Sequence, residues 1–186
     1  MTAALSGCAG LITGAPPETF SLSDPPAAAS GPQRNVQILI AEPEALELLD
    51  SNQIVIRTSA AAVQYLADSR WNDRLTSVVQ AKLVQGFENT GRLRGVGIPG
   101  QGLAIDFQIV TTIRTFEVVA FGAAPQAVVE ISARVLDDRT GNVRATRVFR
   151  GSAPLAGTDN ENYVTALDAA FGQVSSELVG WALSSI

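Results

Sequence analysis

Asp137 and Asp138 are adjacent carboxylates, and two acids held in unlike surroundings can divide the roles of general acid and general base. They lie in LDDRTGNV, where Asp, Gly and Asn crowd between two apolar runs, and that composition predicts a hairpin turn. A carboxylate-only hydrolase would need acids converging from a distance into one pocket, with Asp106 and Asp137 the pair to test. Missing residue types exclude more. Without histidine there is no Ser-His-Asp or Cys-His nucleophile, no His-ligated zinc or haem, and no imidazole acid or base. Cys8 is the one cysteine, which removes an internal disulfide, a CxxC pair and any multi-thiolate metal site. The stretch GVGIPG satisfies G-x-G-x-x-G through Gly95, Gly97 and Gly100, but a dinucleotide site needs a strand before that motif and a helix after it. Here a helical segment ends near Gly91, Pro99 interrupts, and LAIDFQI beyond reads as a strand, so a flexible loop is expected. No G-x-x-x-x-G-K-[ST] occurs, and neither a nucleotide nor any other cofactor is expected.

Leu5-Ser6-Gly7-Cys8 sets an apolar residue and two small ones ahead of the lone thiol. The pattern resembles the lipobox of bacterial lipoproteins, in which small residues admit the backbone to a peptidase groove. The thiol there takes a diacylglycerol before cleavage makes it the new N-terminus. Cys8 is the expected lipidation site. Only MTAALSG precedes it, shorter than a signal peptide with its charged region and apolar core, so residues 1–7 read as the remnant of one.

With 186 residues, 46% of them hydrophobic, the chain is long enough for one domain with a substantial core. A net charge of −5, with thirteen Lys and Arg scattered along it, offers no basic surface for nucleic acid or anionic head groups. Residues 8–33, with five prolines between Ala9 and Gln33, read as a lipidated N-terminus and linker. Within them ETFSLSD (18–24) either adds an edge strand or belongs to a spacer. Residues 34–186 form the single domain.

The elements of that domain follow from periodicity. VQILIAEP, NQIVIR and AAVQYLA alternate as short strands, with Pro43 to Asp50 a connection. Trp71, Leu75, Val78, Val79, Leu83 and Phe87 recur at helical spacing, with Ser69 near the start and Gly91 past the end. Leu103, Ile105, Phe107 and Ile109 alternate; the phase then slips by one so that Phe116 and Val118 continue it, predicting one bulged strand over 103–120. Ala127 to Val135 and VRATRVFRG form an antiparallel hairpin around the acidic turn. The second helix carries Tyr163, Leu167, Ala170, Phe171, Val174, Leu178, Trp181 and Ala182 on one face, with Thr158 and Glu161 spaced as a capping box. The expected fold class is α/β, a two-layer sandwich of a mostly antiparallel sheet with two amphipathic helices on one face.

In order and content the chain resembles the ABC-type transport auxiliary lipoprotein component family, the outer-membrane partner in Mce-type phospholipid transport. The matching stretches are TFSLSDP, IVIRTSAAAVQYLADSRWNDRL, IDFQIVTTIRTFE, LDDRTGNVRATRVFRGSAPL and ALDAAFGQVSSELVGWAL, nearly the whole chain. The resemblance implies a non-enzymatic protein anchored by acyl chains on Cys8, on the periplasmic face of the outer membrane. It implies an ABC ATPase, a permease and an Mce-domain protein as partners, with phospholipid as cargo and room for a homo-oligomer. Ala9 after Cys8 is not the aspartate that retains many lipoproteins at the inner membrane. Tyr65, Arg70 and Trp71 match the family pattern ahead of the first helix, as partner contacts or, for Trp71, as a core anchor. Phe116 and Phe121 bound an apolar segment that is a docking site if exposed and core if covered. A structural lipoprotein supporting an outer-membrane complex would use the same anchor and a similar sandwich.

Overall fold

The computed structural model describes residues 16–25 and 31–186. Among them are strands β1 (Glu18–Phe20), β2 (Arg34–Ile40), β3 (Glu44–Ala45), β4 (Gln53–Arg57), β5 (Val63–Trp71), β6 (Leu93–Gly97), β7 (Phe107–Val119), β8 (Gln126–Asp137) and β9 (Val143–Pro154), with helices α1 (Leu75–Glu88) and α2 (Asn160–Ser185). β7 is the spine. One edge pairs along its whole length with β8, which pairs in turn with β9, both antiparallel. The other edge takes three short parallel partners in succession: β2 at Phe107–Ile109, β3 at Thr112–Ile113 and β4 at Glu117–Val119. Hydrogen-bonded neighbours can be followed along β1-β5-β4-β7-β2-β6, with β4 and β2 meeting the same edge of β7.

The phase slip read in the sequence is a bulge. Ile113 faces Ile131 and Thr115 faces Glu130, leaving Arg114 without a partner. The expected strand over 103–120 is shorter, because residues 98–106 loop back and Leu103 lies outside the ladder. A mostly antiparallel sheet is borne out in part, since the antiparallel ladders hold most of the paired residues. Five of the eight ladders are parallel, although the two longest are antiparallel. The expected flexible loop at GVGIPG is in part strand β6, parallel to β2. Its glycines permit close cover, since a Cβ on Gly97 would lie 2.6 Å from Leu103 Cδ1.

Both helices pack against the sheet face that carries Ile109, Phe116, Ile131 and Phe149. Trp71 does not open α1 but ends β5, and α1 starts four residues later at Leu75. β5 outruns its periodicity because Leu66 to Ser69 bulge opposite Ile54 alone, with Asp68 at φ 53°. Ser69 is buried in that bulge and caps nothing. The first turn of α1 is instead held by Asp50, whose carboxylate accepts from Arg74 (2.7 Å) and Thr76 Oγ1 (2.8 Å). The α2 cap is Asp159 rather than Thr158, accepting from the Asn162 amide at 2.9 Å. Among the described residues no helix is long and apolar enough to cross a membrane.

The stretch before β2 straps the helices together. β1 adds to β5 in parallel, Glu18 opposite Ser69 and Phe20 opposite Trp71. Leu22 then drops into the core at 2% exposure. The Ser23 amide donates to Asp168 on α2 at 2.7 Å, and Asp24 meets Lys82 on α1 at 2.6 Å. Pro25 reaches Gly86, where a Cβ would sit 3.5 Å from the proline and 3.4 Å from Val179 of α2. Glycine in the interior of α1 costs helix stability, and here it lets three segments cross.

Leu22 carries the strap, because the Asp24–Lys82 pair is exposed to screening. Leu22→Ala is expected to lower unfolding free energy by about 2–4 kcal/mol in urea titration, whereas Asp24→Asn at high salt leaves the midpoint nearly unchanged. Equal effects from the two would show that charge, not burial, holds the segment.

Acid should weaken the fold through four carboxylates. Asp24 is lowered by its hydrogen bond from Lys82, Asp50 by that from Arg74, Asp137 by the Thr140 amide, and Asp159 by the Asn162 amide. Each titrates lower folded than unfolded, so its stabilisation is complete above the unfolded value near pH 4 and is lost as pH falls through the folded one. With no histidine, melting followed by circular dichroism is expected to be flat from roughly pH 5.5 to 8 and to fall below about pH 4. A step near pH 6–7 would contradict this assignment.

Candidate functional site

Cys8 lies outside the described residues. The nearest described part of the chain is the strap, whose backbone binds β5 and α2 and whose Asp24 side chain meets α1. Any load applied at the N-terminal side therefore reaches the centre of the domain. The sequence reading treats this stretch as linker with an optional edge strand. Gly86, inside an otherwise apolar helical stripe, was the signal that something crosses there.

The five contact candidates separate by face. Trp71 and Phe116, each 1% exposed, meet edge to face with ring centroids 5.8 Å apart, and Phe116 meets Phe171 of α2 at 5.9 Å. Both rings are enclosed beneath the helices, so they present no surface to a partner in this conformation. Tyr65 pairs with Val55, which pairs with Glu117, and that register places all three on the sheet face opposite the helices. Tyr65 is 46% exposed. Arg70 shares its side through Gln53 and donates to Thr19 Oγ1 at 3.2 Å. Phe121 follows β7 and is half-buried, near a hollow of about 200 Å³ lined by Ala120, Pro125, Leu155 and Tyr163. The apolar run 116–121 is thus core at Phe116 and Val118 and partly open beyond Val119.

The open face is organised by charge. Arg57 grips Glu117 through two parallel bonds of 2.8 and 2.9 Å, and this hydrogen-bonded pairing raises the guanidinium's affinity for its proton. Glu130 lies between Arg150 at 3.2 Å and Arg114, the bulged residue, at 3.7 Å. Leu46, 77% exposed, projects beside a hollow of about 380 Å³ floored by Thr112 and Ile113.

The carboxylates weighed for catalysis hold backbone. Asp106 Oδ2 accepts from the Gln37 amide at 2.9 Å, fastening β2 to the start of β7. Asp137 Oδ1 accepts from the amide and hydroxyl of Thr140 at 3.0 and 3.1 Å, closing the hairpin turn, while Asp138 accepts from Gln108. Each therefore has a structural occupation, and the acid pair of the turn is a turn as its composition predicts.

Similarity to known proteins follows this architecture. A solved structure, protein XCC0632 from Xanthomonas campestris, superposes with a TM-score of 0.83 at 27% identity, covering 90% of this chain and 96% of that one. Hypothetical protein CT253 from Chlamydia trachomatis shares the fold at a TM-score of 0.51 and 12% identity, covering 81% of this chain and 95% of its own. Uncharacterized protein bll6063 of Bradyrhizobium diazoefficiens is 28% identical over 152 residues, 82% of this chain. The chain spans 41% of that relative's length. The model of one family matches residues 19–179, from β1 almost to the end of α2. The chain belongs to the ABC-type transport auxiliary lipoprotein component family.

Proposed function

We propose that the chain is a non-enzymatic, lipid-anchored component of an Mce-associated system that moves phospholipid between membranes, held by acyl chains on Cys8 at the periplasmic face of the outer membrane. The family match carries this reading: it begins at residue 19, eleven residues after the cysteine of Leu5-Ser6-Gly7-Cys8. Each buried methylene of an anchor contributes roughly 0.8 kcal/mol, so one chain holds marginally and two or three hold firmly. Eight residue steps separate Cys8 from Pro16, a reach of at most about 29 Å when extended. The domain then stays close to the head groups, and the strap carries the pull of the anchor into both helices. Energy comes from the ATPase of the system through its permease, and the Mce-domain protein forms the lipid path. Tyr65 and Arg70 on the open face and the exposed side of Phe121 are the partner contacts; Trp71 and Phe116 support them from beneath.

Mass spectrometry of membranes from cells expressing the native gene is expected to find an N-terminal peptide that starts at Cys8 and carries acyl mass. Cys8→Ser should move the protein to the soluble periplasmic fraction and fail to restore the outer-membrane barrier in a deletion strain. A serine variant that stays membrane-bound and fully competent would overturn the anchor, and an unmodified Met1 or Thr2 terminus would overturn export.

A further inference from the structure

We infer that the free edge of β6 and the groove under α1 form a docking slot for an extended segment of another protein, with aliphatic residues at alternate positions and an acidic residue at one end. Among the described residues β6 pairs with β2 alone, so one row of its backbone donors and acceptors is unclaimed by the described sheet. A groove of about 290 Å³ runs beside that edge, walled by Gln80, Ala81 and Val84 of α1, floored by Val96, and ended by Ile98. Val96 faces the helix side because its ladder partner is Ile38, a fully buried residue. Val84 and Val96 each pack on the core while also lining the groove, and Ile98 is 37% exposed.

An added strand meets both features in one pose. Its backbone continues the ladder beyond β6, and every second side chain points under α1 onto Val84 and Val96. The opposite face at this margin is taken, since Gln37 and Leu103 lie over Gly95 and Gly97. The other margins differ. β9 carries Arg144, Arg147 and Arg150 and ends at Pro154, the guards expected of a protected edge, and β1 is only three residues long. β6 is five residues long with one charged side chain, Arg94.

Charge selects the occupant. Arg94 makes no ion pair among the described residues and has only a 3.4 Å bond to Asn35, whereas Arg92 lies over Gly31 with its Nε buried. Against Arg94 the groove presents one carboxylate, Glu88. Arg94, an exposed cation on the strand that floors the slot, in a chain of net charge −5, complements a segment with aliphatic residues and a terminal acid.

A display library of random peptides of about nine residues, selected on the folded chain and measured by fluorescence anisotropy, tests the slot. Recovered sequences are expected to alternate aliphatic and polar residues, to carry Asp or Glu at one end, and to slow amide exchange in residues 93–97. Arg94→Glu and Ile98→Asp, both surface changes, should each weaken binding roughly tenfold with melting unchanged. Methylating alternate peptide nitrogens on one side of the bound strand should do the same, and methylating the other set should not. The inference is overturned if no sequence is enriched, if binders ignore both substitutions, or if both methylated sets bind alike. Sedimentation showing a dimer abolished by Ile98→Asp would make a second copy the occupant and also overturn it.

Discussion

The one-residue slip at Arg114 lets a single strand of thirteen residues present Phe107, Ile109 and Ile113, then Phe116 and Val118, to the same side. Without the slip, a strict period of two would turn Phe116 and Val118 outward and leave α2 facing polar residues. With it, both edges of β7 are occupied at once. β8 and β9 extend the sheet as a long antiparallel ribbon on one side, and three parallel starts, β2, β3 and β4, share the other. Two arms leave that second edge, β2 with β6 and β4 with β5 and β1. The short β3 is all that fills the fork between them, which is why a hollow opens there.

Aromatic packing then joins what the ladders separate. Trp71 ends β5, the middle strand of one arm, Phe116 stands on the spine and Phe171 on α2, and the three are in sequential contact. The strap closes the same region from outside, with Phe20 beside Trp71 and Leu22 in the core. A truncation at any of these rings opens a cavity shared by three elements, so its cost would spread across the domain instead of staying local.

Sequence periodicity was enough for the hairpin, the bulge and α2, because each of these is decided by residues close together in the chain, and it left the edge strand at Thr19 open against a spacer. It failed where distant segments decide. Trp71 fits the helical stripe of α1 by spacing, yet β1 and β4 capture its backbone and prolong β5 as far as the tryptophan. GVGIPG looks like a loop because two of its first three residues are glycine, but β2 alongside supplies the hydrogen bonds that make it a strand. Parallel ladders leave no local mark at all, since their partners are joined by long crossovers, and a sheet read from hairpins alone appears more antiparallel than it is. For the site, the lone cysteine and the absence of histidine were legible as composition. The strap was not, because Ser23, Asp24 and Pro25 acquire meaning only from Asp168, Lys82 and Gly86 opposite them.

The order of strands also governs what can be done at the same time. β1, through which the described chain enters the domain, and β6, whose outer edge has no partner among the described residues, end the two arms that leave the same edge of β7. The two arms start ten residues apart on β7, Ile38 opposite Phe107 and Val55 opposite Glu117, which at roughly 3.3 Å per residue is about 33 Å along the spine. The chain that enters at β1 and a segment docked at β6 therefore do not compete for space. The sheet between them is pinned by the Arg57–Glu117 pair on one face and by both helices on the other, which suits it to hold two attachments at a fixed spacing. Holding attachments in position is a role that suits a member of an ABC-type transport auxiliary family, and rigidity across the strand path is the property of this fold that would serve it.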